Sequence, residues 1–328
     1  MRNKKVTFWV RPCRSHPFFC SVHPLAGSIY RENKVKIYRI GRIGAVRWTK
    51  AMTNIVKADQ LTKTFGKVKA LDHCDLEIKK GEIFGYLGPS GAGKTTTIKL
   101  LTGQLHSDSG EVTVLGKDPF SPDIKKKIGI MSDMSGLYEK MTVYENLDIF
   151  ADIYGIKDKK KKIRRTLEAV ELLDAARKKV EKLSRGMKQR LVFARTIIHE
   201  PGLLFLDEPT ANLDPATADE IRDLIRKLNR EGATVFLTTH NMEEADELCH
   251  RVALLNRGSI VESGSPEELK LKYSRKRVVI TTGEGKKEVP LEREALLKSL
   301  EQAGEVLMIH SEEPSLRDVF LTLTKEEQ

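Results

Sequence analysis

The run Gly88-Pro89-Ser90-Gly91-Ala92-Gly93-Lys94-Thr95 decides the fold of this 328-residue chain. It matches the phosphate-binding loop pattern G-x-x-x-x-G-K-[ST] at every position. Glycines let the backbone approach a polyphosphate closely, so that several N–H groups point at its oxygens. Lys94 would bring positive charge to the outer phosphates, and the Thr95 hydroxyl would be available to Mg²⁺.

The segments on either side of this loop have the pattern that such a loop requires. Residues 82–87 are apolar enough to form a strand, and residues 95–101 continue as a helix. The N-terminal end of a helix carries partial positive charge, which favours an anion bound in the preceding loop. The sequence therefore predicts a strand, a phosphate loop and a helix in succession.

Further apolar runs predict a layered α/β domain. Continuous apolar stretches, typical of strands buried on both faces of a parallel sheet, occupy residues 202–206, 234–238 and 252–255. A helix is predicted between the first two of them, over residues 216–230. Shorter strands are expected around a turn at Gly66-Lys67 and after the phosphate-loop helix, at residues 54–58, 74–78 and 111–115. Helices that alternate with buried strands indicate an α/β core.

The character of the sequence changes twice beyond this core. Residues about 118–200 combine charged runs with helical periodicity, and we expect a helical insertion there, inside a domain spanning residues 52–272. Residues 273–328 predict a small α+β appendage, near the lower limit of what folds alone. Its predicted elements are strands at 277–282 and 306–309 with a helix at 292–303 between them.

Residues 1–51 differ from the rest of the chain. They contain 12 Lys and Arg and a single acid, Glu32, whereas the remainder of the chain is electrically neutral. A transit peptide and a basic arm that contacts acidic lipid or nucleic acid are two interpretations. The one we favour is a disordered leader or a mis-set start ahead of Met52, because this composition supports a packed core poorly.

Composition narrows the class of protein. With 40% hydrophobic and 31% charged residues the chain is typical of globular domains. No apolar run approaches the ~18–20 residues that span a bilayer, so a membrane role would require a partner. The neutral body argues against nucleic-acid binding, and no nucleic-acid partner is expected. The cysteines suit neither a zinc site nor a disulfide framework, and free thiols are expected at Cys13, Cys20, Cys74 and Cys249.

Two acids and a histidine come directly after the predicted buried strands. Asp207 and Glu208 end the first strand, where an unpaired buried charge would be costly without a function. A Mg²⁺–nucleotide complex supplies that function: Asp207 would hold the ion and Glu208 would act as general base on the attacking water. His240 ends the next strand and could hydrogen-bond the terminal phosphate and the water. An ordinary strand end with exposed acids is the alternative for the acidic pair.

Six motifs in this order resemble those of the nucleotide-binding subunit of an ATP-binding cassette (ABC) transporter, over about residues 53–270. Besides the phosphate loop, the acids and His240, residues 183–190 resemble the family signature, which is usually L-S-G-G-Q. Residues 211–215 are similar to the loop that comes after the acidic motif, and Phe65 matches the aromatic residue that stacks on adenine.

The resemblance implies an α/β fold with a P-loop NTPase core of the ABC ATPase type, and it implies ATP and Mg²⁺ as cofactors. The catalytic residues would be Glu208, His240 and Lys94. The Mg²⁺ ligands would be Thr95, Asp207 and Asp133. The nucleotide would be bound by Phe65, Gly88, Pro89, Ser90, Gly91, Ala92, Gly93, Lys94, Thr95, Thr96, Ser184, Arg185, Gly186 and Asp214.

The resemblance also implies partners. Ser184 and Gly186 of one copy would meet the γ-phosphate held by the other, which is a second copy of this chain or a paralogous ATPase subunit. An integral membrane subunit would receive the force through a groove involving residues 133–144 and the helical block. The chain would then be cytoplasmic, peripheral on the inner face of the cell membrane.

Two motifs depart from the family pattern, at three positions in all. Arg185 and Met187 replace a glycine and the glutamine of the signature, a form similar to that of the branch exporting drugs, antibiotics and peptides. Asp133 stands where the family usually has glutamine, which adds charge and shortens the reach. Residues 313–320 look like the end of the small C-terminal domain of that same branch, and they also read as an amphipathic helix with Leu316, Val319 and Phe320 facing a core.

The function expected from the sequence is therefore that of an ATPase subunit of an exporter. A non-transport ATPase of the same fold and a regulatory ATP-binding module with low turnover stay open beside it, the second because of Asp133. A GTPase is disfavoured because the chain has no N-K-x-D guanine motif.

Overall fold

The structure, a computed structural model, describes residues 54–132, 136–274, 277–311 and 313–325. The basic extension at residues 1–51 and the proposed Mg²⁺ ligand Asp133 lie outside the described residues. The strands are β1 (Asn54–Phe65), β2 (Val68–Lys79), β3 (Ile83–Leu87), β4 (Ser109–Val114), β5 (Ile128–Met131), β6 (Leu203–Asp207), β7 (Thr234–Thr239), β8 (Arg251–Asn256), β9 (Ser259–Gly264), β10 (Arg277–Thr282), β11 (Gly285–Pro290) and β12 (Val306–Ser311). The helices are α1 (Lys94–Leu101), α2 (Pro122–Lys125), α3 (Val143–Ile153), α4 (Lys159–Ala169), α5 (Arg185–Ile197), α6 (Pro215–Arg230), α7 (Met242–Leu248), α8 (Pro266–Lys272), α9 (Arg293–Gln302) and α10 (Leu316–Lys325).

A six-stranded sheet in the order β5-β6-β7-β3-β8-β9 forms the centre of the domain. All neighbours in it are parallel except the edge pair β8 and β9. Every residue of β3, β6 and β7 is buried, as expected for strands covered on both faces. The predicted parallel α/β core is thus confirmed, and the phosphate loop connects the central strand β3 to α1.

A second sheet, antiparallel and in the order β2-β1-β4, covers one face of the central sheet. Its side chains form a shared hydrophobic core with aromatic residues of the central strands, among them Phe84, Phe205 and Phe236. The strands predicted at 54–58 and 74–78 are longer than expected, since β1 and β2 pair up to the turn after Phe65. The residues near that turn are mostly polar and do not alternate with apolar ones, so the sequence pattern did not indicate a strand there. Backbone hydrogen bonds between β1 and β2 nevertheless extend both strands to the turn.

Helices cover the other face. A second core cluster joins buried residues of α3, α4, α5 and α6 to the central sheet. Within residues 118–200, β5 pairs in parallel with β6 and belongs to the sheet, whereas α3 to α5 make up most of the segment after β5. We therefore place the start of the helical subdomain after β5. Among the described residues, no helix is both long and apolar enough to cross a membrane.

The C-terminal segment builds a third sheet in the order β11-β10-β12, packed by α9. Strands β10 and β12 and helix α9 lie where the sequence predicted them. Strand β11 was not predicted, because half of its residues are charged and all but Val289 are exposed. Helix α10 leaves this sheet and contacts α7 and α8. Leu316 and Val319 are buried in the core of the central domain, with Phe320 packed against it, which confirms the amphipathic interpretation.

Candidate active site

The phosphate loop lies tightly against neighbouring backbone. Gly93 caps α1 with φ 115°, a left-handed conformation that glycine adopts without strain. A Cβ atom at Gly93 would collide with the carbonyl oxygen of Ala70 in β2, and one at Gly88 with that of Leu255 in β8. These two glycines are therefore required by the close approach of β2 and β8.

Lys94 is nearly buried, with 7% of its side chain exposed, although it carries a charge. Its Nζ donates to the carbonyl oxygens of Gly88 at 2.7 Å and Pro89 at 3.1 Å. The same Nζ lies 3.3 Å from Oε1 of Glu208. The ammonium group is thus held inside the loop by three oxygens, and an anion in the loop would find a positive charge already desolvated.

Thr95 and Asp207 meet at the beginning of α1. The Thr95 hydroxyl donates to Oδ2 of Asp207 at 2.8 Å, and the other carboxylate oxygen accepts from the hydroxyl of Thr238. Asp207 is only 4% exposed. A hydroxyl beside a carboxylate is a donor set that suits Mg²⁺, which needs only one or two protein ligands when phosphates and water supply the rest.

Glu208 and His240 form the outer part of the site. Oε2 of Glu208 lies 2.7 Å from Nδ1 of His240, while its other oxygen faces Lys94. Glu208 has φ 49°, which is uncommon for a residue with a side chain and is found where surrounding structure fixes the backbone. Its amide donates to the carbonyl and hydroxyl oxygens of Thr238, at 3.0 and 3.2 Å. The carboxylate is thereby held between a cation and an imidazole.

Comparison with known proteins agrees with this geometry. A family model described as ABC transporter matches residues 71–211. A fluoroquinolones export ATP-binding protein of Mycobacterium tuberculosis is 42% identical over 292 residues, which cover 85% of this chain and 96% of the relative. A bacitracin transport ATP-binding protein of Bacillus licheniformis is 40% identical over 243 residues, covering 73% of this chain and 79% of the relative. The chain belongs to the ABC transporter family.

Solved structures agree as well. An ATP-binding subunit of an ABC transporter superposes on 82% of this chain and 99% of its own with a TM-score of 0.64 and 21% identity, which shows the common fold. A dimeric ATP-binding cassette in a post-hydrolysis state, bound to ADP and Pi, superposes on 64% of this chain and 98% of its own with a TM-score of 0.59 and 28% identity. The chain is thus an ABC ATPase subunit, and both the family resemblance and the fold predicted from the motifs are confirmed.

In this ABC ATPase the signature residues lie at the start of α5. Ser184 caps the helix, since its hydroxyl accepts from the amide of Met187 at 3.2 Å. Gly186 faces the first turn of α6, where a Cβ atom would come within 2.7 Å of the methyl group of Thr217. Arg185 is exposed at the first helical position. No hydrogen bond or ion pair among the described residues joins this group to the phosphate loop of the same chain.

Asp214 caps α6 next to the signature residues. It accepts from the amide of Thr217 at 3.0 Å and from the hydroxyl of Thr217 at 2.7 Å. The Thr217 hydroxyl, and secondly its amide, lower the pKa of Asp214 below its usual value. The carboxylate of Asp214, which is predicted to contact nucleotide, is therefore already bonded as the cap of α6.

Phe65 stands at the tip of the β1–β2 hairpin, and Ala70 of that hairpin lies against Gly93 of the phosphate loop. Phe65 is 51% exposed, and Nζ of Lys63 lies 5.6 Å from the centre of its ring. An exposed ring on a hairpin that touches the loop is a suitable platform for a base. Ser90, Gly91, Ala92 and Thr96 lie in the phosphate loop and the first turn of α1, as the motif requires.

Two contributors to the site were not predicted from the sequence. Thr238 bonds both acidic residues, and its position one residue before the end of β7 is the signal that could have indicated it. Helix α10 forms one wall of a cavity of about 400 Å³ whose other walls are the start of the phosphate loop and the segment after His240. Helix α10 therefore borders the candidate active site.

Proposed function

We propose that this ABC ATPase powers the export of a drug, an antibiotic or a similar molecule through a separate membrane subunit. The single observation that carries the hydrolytic part is the position of Glu208, whose carboxylate lies between the Lys94 ammonium and the His240 imidazole. Its neighbours Thr95 and Asp207 offer the donor set described above for Mg²⁺.

The proposed roles rest on these contacts. Bound Mg²⁺ would neutralise charge on the phosphates of ATP, with Thr95 and Asp207 as its protein ligands. Lys94 would exchange its carbonyl partners for phosphate oxygens. Glu208 would accept a proton from the attacking water, and His240 would keep that carboxylate oriented by donating from its ring nitrogen.

The complete site would need a second cassette. Ser184 and Gly186 lie at the N-terminal end of α5, where free amides favour an anion, and no bond among the described residues joins them to the phosphate loop of their own chain. We infer that they face the γ-phosphate held by a second copy or a paralogous subunit, with Arg185 adding positive charge. The dimeric cassette bound to ADP and Pi supports this arrangement by similarity.

The membrane subunit would dock between the central sheet and the helical subdomain. A cavity of about 270 Å³ opens there, and Phe150, Tyr154 and Arg195 contribute to its walls. The guanidinium carbon of Arg195 lies 5.1 Å from the ring centre of Phe150, and one of its nitrogens donates to the carbonyl oxygen of Gly136 at 3.0 Å. The arginine thus ties the start of the segment 136–144 to the helices. Docking here would make the chain a peripheral protein on the inner face of the cell membrane.

The direction of transport is proposed from the relatives. The names of two of them state export of fluoroquinolones and transport of bacitracin, and the match to the first covers 85% of this chain. The transported molecule itself would be recognised by the membrane subunit.

Affinity purification from native membranes tests the proposal. The tagged chain is solubilised in mild detergent, and the proteins that accompany it are identified. We expect a polytopic membrane protein near a one-to-one ratio, together with ATP hydrolysis that requires Mg²⁺. Ribosomal or DNA-associated proteins in its place would contradict the exporter assignment and favour a non-transport ATPase.

A further inference from the structure

A carboxylate that none of the motifs includes lies buried behind the active site. Glu244 belongs to α7 and is 2% exposed. Taking a carboxylate out of water costs several kcal/mol unless its oxygens are well bonded. Both oxygens are bonded here: Oε1 accepts from the Thr210 hydroxyl at 2.5 Å and Oε2 accepts from the Thr239 hydroxyl at 2.7 Å.

The two threonines belong to the two segments that carry the proposed catalytic groups. Thr239 ends β7 and directly precedes His240. Thr210 lies two residues after Glu208, in the turn closed by the bond from the Ala211 amide to the Glu208 carbonyl. Glu244 therefore bridges the backbone of the general base to the backbone of the histidine.

The histidine segment is also bonded to α7 directly. The Thr239 hydroxyl accepts from the amide of Asn241 at 3.0 Å. The Asn241 side chain in turn caps α7 by accepting from the amides of Glu243 and Glu244, at 3.0 and 3.2 Å. The turn that contains His240 is thus fixed on both sides to the helix that carries Glu244.

We propose that Glu244 is a positioning residue for ATP hydrolysis, which keeps His240 and Glu208 at the separation they need. The inference rests on the roles proposed for those two residues. A displacement of about 1 Å in a reacting group can cost a hundredfold in rate. The Glu208–His240 contact of 2.7 Å would be lost by a shift of that size.

The test compares steady-state kinetics of Glu244→Gln and Glu247→Gln. The first variant keeps the size of the side chain but removes one of two acceptors, so that one threonine hydroxyl loses its partner. We expect kcat to fall about tenfold to a hundredfold, while KM and ATP binding stay within about twofold. Glu247 lies on the same helix with 62% of its side chain exposed, and its change to glutamine should leave kcat unaltered.

Thr210→Val and Thr239→Val each remove one of the two hydrogen bonds to Glu244 and keep the shape of the side chain. They provide the test if Glu244→Gln does not fold. Each should lower kcat several-fold, and combining either with Glu244→Gln should cost less than the product of the single effects. Unchanged kcat in these variants, or a rise of KM alone, would overturn the role of Glu244. The kcat of Glu208→Gln is measured in the same series. If Glu208→Gln is slow and Glu244→Gln has normal kcat, only the positioning role of Glu244 is overturned. If Glu208→Gln has normal kcat, the general-base role of Glu208 and the role of Glu244 are both overturned.

Discussion

The strands of the central sheet and those of the appendage differ in how deeply their side chains are buried. In the centre every residue of β3, β6 and β7 is buried, and the polar groups at their ends bond one another. In the appendage the buried cluster among described residues is Val278, Ile280 and Val289, and β12 exposes most of its side chains. A site for hydrolysis needs side chains held within a fraction of an ångström, which only the first arrangement provides.

The largest expected effect concerns the central edge. Glu208→Gln should lower ATP hydrolysis by about 10²–10⁴-fold, because the amide no longer accepts a proton from water. ATP binding should persist, since Lys94 and the loop amides are unchanged. Phosphate release and nucleotide binding measure the two effects separately. Turnover like that of the unmodified protein would show that Glu208 is not the base.

Sequence reasoning succeeded where a residue pattern is imposed by backbone geometry or burial. The loop at 88–95 predicted the β3–α1 connection, since Gly88 and Gly93 are the residues that the contacts with Leu255 and Ala70 allow. The apolar run 202–206 predicted β6, because a strand buried on both faces has to be apolar throughout.

It failed where partners distant in the chain decide the outcome. Strand β11, in which half of the residues are charged, is a strand because β10 pairs with it. Glu244, inside the polar sequence of α7, looks like a surface residue until Thr210 and Thr239 are brought to it by folding. The roles assigned from the motifs to Ser184, Arg185 and Gly186 stay predictions, because they concern a second copy.

Removing the cation of the loop should have the next largest effect. Lys94→Ala should weaken ATP binding about tenfold to a hundredfold, since a hydrogen bond to a charged group contributes about 1.5–3 kcal/mol. Equilibrium binding of a fluorescent ATP analogue measures this. Lys99→Ala, an exposed position near the end of the same helix, is the control and should bind normally. Equal affinities for the two variants would remove Lys94 from the site.

A pair of glycine substitutions compares the packing of the two regions directly. Gly88→Ala should lower the free energy of unfolding by about 1–3 kcal/mol, because its Cβ would collide with the backbone of β8. Gly283→Ala, in the turn between β10 and β11, meets no atom within 4 Å and should change stability by at most about 0.5 kcal/mol. Urea denaturation of both variants measures the difference. Equal stabilities would mean that the loop can move away from β8.

The smallest expected effect is on the stability of the appendage. It also tests whether the appendage unfolds independently of helix α10. Ile280→Val removes one buried methylene from β10, a change of about 0.5–1.5 kcal/mol. Hydrogen exchange should speed up at the amides of β10 to β12 and stay unchanged in β3 and β6, with ATP hydrolysis unaltered. Ile83→Val, the matched change in β3, should accelerate exchange throughout the central domain instead.

Helix α10 decides what the appendage does to the active site. Leu316 and Val319 are buried in the core of the central domain, so their amides should stay protected in Ile280→Val. The appendage could then open and close while the wall that α10 contributes beside Gly88 and His240 stays in place. If α10 instead exchanges together with β10, the helix is part of the appendage, and any ligand or contact that stabilises the small sheet would also act on the mouth of the nucleotide site.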